Sequence, residues 1–253
     1  MCIRDRNYTD GTVSKLNAAT GATVGTYTVG SHPAAVCFDG ASVWVANSGS
    51  NSVTKLSAAT GAKIAVYPVG NTPDAICFDG SNIWVANYYD NNVYRLSGTS
   101  GVLIDAHTVS TPYALCFDGS SVWVANYTDD TVTKLTATTN TAYSVGALPC
   151  AVCFDGSSIW VANYQGNNVT KINPATGATL GTYTVGTNPR GIDSDGTNIW
   201  VANATMDGTV TKLNASTGAT LGTYTVGALP GSVCFDGANI WVGNYFGFSV
   251  SKL

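Results

Sequence analysis

The sequence predicts an all-β protein, a β-propeller of four-stranded antiparallel blades, and three observations carry that prediction. The phrase Cys-Phe-Asp-Gly, two residues, a β-branched residue and Trp-Val-Ala-Asn recurs with small changes around Trp44, Trp84, Trp123, Trp160, Trp200 and Trp241, which are all six tryptophans of the chain. Counted from Cys37 through Cys77, Cys116, Cys153, Asp193 and Cys234, the spacing is 40, 39, 37, 40 and 41 residues, and a period near 40 marks a repeat architecture before any single motif is read. Charged residues are only 10% and the fifteen acids are all aspartate, a composition far from the Glu- and Lys-rich surfaces of helices.

One repeat shows why it makes four strands. Pro33–Phe38 is a short apolar run suited to a strand buried on both faces. Asp39-Gly40 is a tight-turn signal. Ser42–Ala46 is β-branched and aromatic, a second strand. The polar stretch Asn47–Ser52 connects it to a third strand, Val53–Leu56. The turn Ala58-Ala-Thr-Gly61, where glycine supplies a positive φ without steric cost, leads to a fourth, Lys63–Val69. Such a unit of about 40 residues is one propeller blade.

Blades are expected over 33–69, 73–109, 112–145, 149–185 and 189–225, with a sixth shared between 7–29 and 230–253. The strand Ser249–Leu253 is a seventh copy of the third-strand column, one more than six blades need, and it raises a fragment of a seven-bladed propeller as the alternative. The leader 1–6 matches no phase of the repeat and reads as a non-native scar.

Composition narrows the function. A net charge of −4 argues against a nucleic-acid groove or an anionic membrane surface, and no apolar run approaches the ~18 residues of a membrane-spanning helix. Neither nucleic-acid binding nor membrane insertion is expected, and a monomer is. Of seven cysteines, five share one repeat column, Cys37, Cys77, Cys116, Cys153 and Cys234, and read as small buried hydrophobes. Cys150 and Cys153 form a lone CxxC on a strand, where residues three apart face opposite ways, so no metal or redox site is expected there. No nucleophile elbow, phosphate-cradling glycine loop or HExxH is present; no catalytic residue, metal or cofactor is assigned.

At Trp-Val-Ala-Asn, Asn-x-Val-Thr-Lys-Leu, Ala-Thr-Gly and Thr-Val-Gly-x-x-Pro, the sequence resembles the YVTN-type bacterial and archaeal β-propeller repeats over residues 7–253. It is similar, more loosely, to the streptogramin (virginiamycin B) lyases. The first resemblance implies an exported or surface-associated, extracytoplasmic binding or scaffold protein. The second implies histidines, a glutamate and a divalent metal near a channel mouth. This chain has no glutamate and two histidines. His107 falls on an outermost strand and only His32, beside Pro33, lies near a mouth, so that catalytic set does not carry over.

Function in a repeat protein is sought where the copies disagree. The Asp-Gly, Trp and Pro columns answer to turns and packing, and the basic column Lys15, Lys55, Arg95, Lys134, Lys171, Lys212 and Lys252 reads as stems snorkelling at a solvated rim. Two sets vary. One follows each proline: Ala34, Asp74, Tyr113, Cys150, Arg190 and Gly231. The other is the connection between second and third strands, carrying Tyr88 and Tyr89, Tyr127, Tyr164, and Tyr245 and Phe246. Strand alternation brings both sets out at the same end of each blade. His32, Asp74, Tyr88, Tyr89, Tyr113, Tyr127, Tyr164, Arg190, Tyr245 and Phe246 are therefore the candidate ligand-binding residues, a polar pair, Asp74 and Arg190, with aromatic walls that suit a carbohydrate, a small molecule or a peptide of a partner protein. The expected function is a non-catalytic binding or scaffold module. The alternatives are a lyase- or lactonase-like propeller enzyme with an incomplete metal site, and a purely structural repeat of a larger surface protein.

Overall fold

The computed structural model describes residues 6–7, 9–136 and 139–253; the side chains of residues 6 and 7 are not described, and the leader 1–6 lies outside the described residues except for the backbone of Arg6. Every regular element among the described residues is a β-strand, and the propeller class predicted from the repeat holds. Six sheets carry a tryptophan-bearing second strand, and five of these are complete, with four strands in sequence order.

Blade 1 consists of Pro33–Phe38, Ser42–Asn47, Ser52–Ser57 and Lys63–Pro68, and blade 2 of Pro73–Phe78, Asn82–Asn87, Asn92–Ser97 and Leu103–Thr108. Blade 3 consists of Pro112–Phe117, Val122–Asn126, Thr131–Leu135 and Asn140–Ser144. Blade 4 is Pro149–Phe154, Ile159–Asn163, Asn168–Ile172 and Thr179–Thr184, and blade 5 is Pro189–Ser194, Asn198–Asn203, Thr209–Asn214 and Thr220–Thr225. Each terminal segment forms a three-stranded sheet: Arg6–Asn7, Thr12–Leu16 and Thr23–Thr28 at one end, Pro230–Phe235, Ile240–Asn244 and Ser249–Lys252 at the other. The seventh third-strand copy pairs with the second strand of its own sheet, Trp241 opposite Lys252 and Asn244 opposite Ser249, and forms the edge of that sheet.

The chain divides into two compact units, one reaching Val124 and taking in Leu135–Asn140, the other made of Ala125–Lys134 and Thr141–Leu253. In the first unit Trp44, Ala46 and Val53 of blade 1 pack on Ile76, Ile83, Val85 and Leu96 of blade 2, and Trp84, Ala86 and Val93 of blade 2 pack on Val122, Val124 and Leu135. In the second, Trp160, Ala162 and Val169 of blade 4 meet Ile192, Ile199, Val201 and Leu213 of blade 5, which in turn presents Trp200, Ala202 and Val210 to Val233, Ile240 and Val242. Second strands such as Ser42–Asn47 are buried throughout because a blade is covered on both faces, whereas fourth strands such as Lys63–Pro68 alternate between exposed and half-buried positions at the outer edge.

The framework columns do more than turn the chain. In each Asp-Gly turn the aspartate accepts backbone N–H groups two and three residues on, as Asp39 does from Ala41 and Ser42, and its second oxygen takes the indole N–H of the tryptophan. That indole bond is 2.6–2.8 Å in all six copies. The buried Trp therefore has its one polar atom satisfied.

The basic column corrects the sequence reading. Lys55 and Lys171 are only 9% and 8% exposed. Lys55 lies 4.4 Å over the Trp44 ring and donates to the carbonyl of Gly98, in the third-to-fourth-strand turn of the next blade. Lys15 reaches Ala58, Lys134 reaches Pro174 and Lys171 reaches Ala215 in the same way. For Lys55 and Lys171 the ammonium is a clamp between blades and not a rim group, because the tryptophan beneath it and a turn carbonyl beyond it replace water. The cysteines are free thiols among the described residues. Burial raises the pKa of Cys37 and Cys77, so both stay protonated at neutral pH.

Candidate functional site

The variable positions gather at the end of each blade where the linker enters the first strand and the second strand turns into the third. Local backbone geometry explains why both vary. The residue before each proline, His32, Thr72, Thr111, Leu148, Asn188 and Leu229, has φ between 36° and 54°. This left-handed conformation is costly for the β-branched threonines. The residue after the proline is a β-bulge: register jumps from Pro33 to Ala35, Pro73 to Ala75, Pro149 to Ala151, Pro189 to Gly191 and Pro230 to Ser232. Ala34, Asp74, Cys150, Arg190 and Gly231 are thus the extra residues, without an opposite partner in the ladder. Bulges re-aim side chains, and a position outside the pairing register is free to differ between copies.

The second-to-third-strand connection is tied down by the same linker. The N–H of Tyr88 donates to the carbonyl of Thr72, that of Tyr164 to Leu148 and that of Tyr245 to Leu229, at 2.9–3.0 Å. In return, a left-handed Asn or Asp of the connection accepts an N–H from the next linker: Asn51 from Thr72, Asn91 from Thr111, Asp130 from Leu148 and Asn167 from Asn188. Asp90 likewise accepts from Asn71. These acids have structural bonds, and the loops are a fixed scaffold for whatever side chains they carry.

In the first unit the scaffold brings four predicted residues together. Tyr88 meets Tyr89 edge to face, with ring centroids 5.2 Å apart and planes at 76°, and meets Tyr113 of the next blade at 6.1 Å and 81°. Asp74 is the bulge residue beside Asn87, which opposes Pro73 and immediately precedes Tyr88. Burial first, then the charges of Tyr89, Asp74 and Tyr113, raises the pKa of the Tyr88 hydroxyl, so the ring stays neutral. Tyr89 is 67% exposed and forms the outer wall. His32, on the linker before Pro33, lies over Gly49 of its own blade's connection, its carbonyl accepting from the Ser48 N–H and hydroxyl.

The second unit arranges the same positions differently. Cys150 is buried, its thiol 3.1 Å from the carbonyl of Pro189 and pushed up to about 12, chiefly by burial. Cys150, one of the variable positions after the prolines, is here a packing residue. Arg190 is exposed, and Tyr127 and Tyr164 are half-buried. Tyr245 and Phe246 are 65% and 58% exposed, and Phe248 beside them is 95% exposed at φ 44°. Among the described residues no group of three or more His, Cys, Asp or Glu side chains gathers within metal-ligand reach.

A family model described as outer membrane protein assembly factor BamB matches residues 9–196. The chain belongs to that family. No curated protein matches it. Among solved structures this BamB-family chain is similar to the hydrazine synthase of Kuenenia stuttgartiensis, with a TM-score of 0.84 at 20% identity over 98% of this chain and 90% of that one. A streptogramin B lyase gives a TM-score of 0.84 at 17% identity over 97% and 87%, and a functionally unknown protein from Desulfotomaculum acetoxidans gives 0.78 at 14% over 98% and 93%. At such identities these structures share the fold, and the fold leaves function to the site.

One cluster escaped the sequence reading. In blade 2 Arg95 forms a two-bonded ion pair with Asp105, and His107 lies 3.3 Å from that carboxylate and 3.3 Å from the Asn140 side chain of the next blade. The signal was present: Lys, a small residue and Tyr occupy these three columns in blades 1, 4 and 5, and all three change together here.

Proposed function

We propose that the chain is a non-catalytic, YVTN-like propeller module that binds a ligand or partner on the loop-rich end of its blades, outside the cytoplasm. The observation that carries this reading is the packed tyrosine group, Tyr88, Tyr89 and Tyr113, from two successive blades. Its outer ring is two-thirds exposed on loops that backbone hydrogen bonds hold in place. Exposed aromatic rings on a rigid support lose little entropy on binding and offer a large apolar area with a polar tip. Tyr127, Tyr164, Tyr245, Phe246, Arg190 and His32 occupy equivalent ends of other blades and extend the same kind of surface. The extracytoplasmic setting is supported by the family description, which names outer membrane assembly.

The test is binding of the whole chain to carbohydrate and peptide arrays. A specific binder is expected, with affinity reduced at least ~10-fold by Tyr89→Ala, in line with the ~2 kcal/mol that a central aromatic carries at an interface. Silence across both arrays would count against a binding role.

A further inference from the structure

We propose that the ligand of the Tyr88–Tyr89–Tyr113 group is an alkylammonium group, presented as a lysine or methylated lysine side chain of a peptide. This rests on the binding reading above and narrows it. The argument is one of shape and charge. Ring planes at 76° and 81° make corners, not a flat platform. A pyranose stacks on a flat aromatic face, whereas a tetrahedral ammonium is held best between rings set at steep angles, each turning its electron-rich face to the cation. Tyrosine faces are strong partners in such cages, and the neutral state of Tyr88 keeps its donor for a peptide carbonyl.

The acid placed at this corner is a carboxylate, Asp74, held out of register by the bulge next to Asn87. Asp90, exposed on the same connection, adds a second negative charge. A chain of net charge −4 further favours a cationic partner. An aromatic corner with local negative charge selects an organic cation over a neutral sugar or an acidic peptide.

The experiment is isothermal titration of the whole chain with a short neutral peptide carrying trimethyllysine, the same peptide with lysine, the uncharged isostere in which carbon replaces the quaternary nitrogen, and choline. The trimethyllysine peptide is expected to bind at least ~10-fold more tightly than the isostere, a margin typical of a desolvated cation–π site. Tyr89→Ala should abolish that preference and Asp74→Asn should reduce it about 5-fold, while Tyr89→Phe, which keeps the ring face, should retain it. Far-UV circular dichroism of the variants checks that each is folded. Equal affinity for cation and isostere would overturn the alkylammonium assignment. So would array binding of a glycan that needs Tyr89 while every ammonium probe stays silent, although the binding role would survive. Choline bound as tightly as the peptide would overturn the peptide source.

Discussion

The junction between blades 1 and 2 and the junction between blades 2 and 3 solve the same packing problem with different chemistry. At the first, Tyr67 stacks on Trp44 and lies against Gly101, in the next blade's outer turn, so closely that a Cβ there would sit 2.1 Å from the ring. The same ring-into-glycine contact joins Tyr27 to Gly61, Tyr143 to Gly177 and Tyr183 to Gly218. At the second junction His107 replaces the tyrosine, tilts over Trp84 and meets Asn140, while Asp105 replaces the small residue and pairs with Arg95, which still lies over the Trp84 ring. One junction is a shape lock and the other a polar network. The difference teaches that the outer columns form a coupled set: changing the ring changes what must lie beneath it and beyond it.

The largest effect is expected where the shape lock is most exacting. Gly101→Ala puts a methyl group into the Tyr67 ring and also strains a residue at φ +74°-class geometry, its own φ being +72°. Overpacking plus left-handed backbone strain should cost about 2–4 kcal/mol. Gly80→Ala is the control: its φ is +95° but nothing lies within 4 Å, so only the backbone contribution of about 1 kcal/mol is expected. Urea unfolding of the two variants separates packing from conformation. Equal losses would mean that the ring contact contributes nothing.

A smaller, shared effect follows from the aspartate column, which both junctions inherit. Burial acts to raise the pKa of Asp39 and of Asp79, but the bonds from the indole N–H and the turn amides outweigh it and the net direction is down; Asp118, Asp155 and Asp195 follow the same pattern. A carboxyl lowered in the folded state contributes stability that is complete above its unfolded value, near ~3.9, and is lost as pH falls from there through the folded value. The urea midpoint should therefore be flat above about pH 5 and fall steeply below pH 4. Asp79→Asn should shallow that fall, since Asp79 is one of the carboxyls responsible for it. A midpoint that holds to pH 3 would remove the column from the account of stability.

These contrasts also show what could be read from the chain. The Asp-Gly turns, the tryptophan strands and the four-strand unit were legible because turn residues and two-sided burial leave local patterns around Asp39 and Val43–Ala46. The Lys column was legible as a column but misread as a solvated rim, because the carbonyl that Lys55 reaches belongs to Gly98, 43 residues on. The grouping of Tyr88, Tyr89, Tyr113 and Asp74 followed from strand alternation alone. That Asp74 sits at a bulge and Cys150 turns inward did not, since both depend on backbone φ at the preceding Thr72 and Leu148 and on neighbouring blades.

The smallest expected effect tests the polar junction directly. Asp105→Ala removes the carboxylate shared by Arg95 and His107. The side chain of Asp105 is 37% exposed and that of Arg95 22%, so solvent already screens the pair. A loss of about 1 kcal/mol is expected, near the upper end for partly exposed ion pairs and raised by the two-bonded geometry. The loss should shrink in 1 M salt, where charges separated by more than ~3 Å are screened. Gly101→Ala should show no such salt dependence, because a steric clash does not respond to ions. If both variants respond equally to salt, the distinction between a shape lock and a polar network fails. If only Asp105→Ala responds, blade 2 owes its altered outer edge to charge pairing, and the joint replacement of Lys, small residue and Tyr by Arg95, Asp105 and His107 is one physical change spread over three positions.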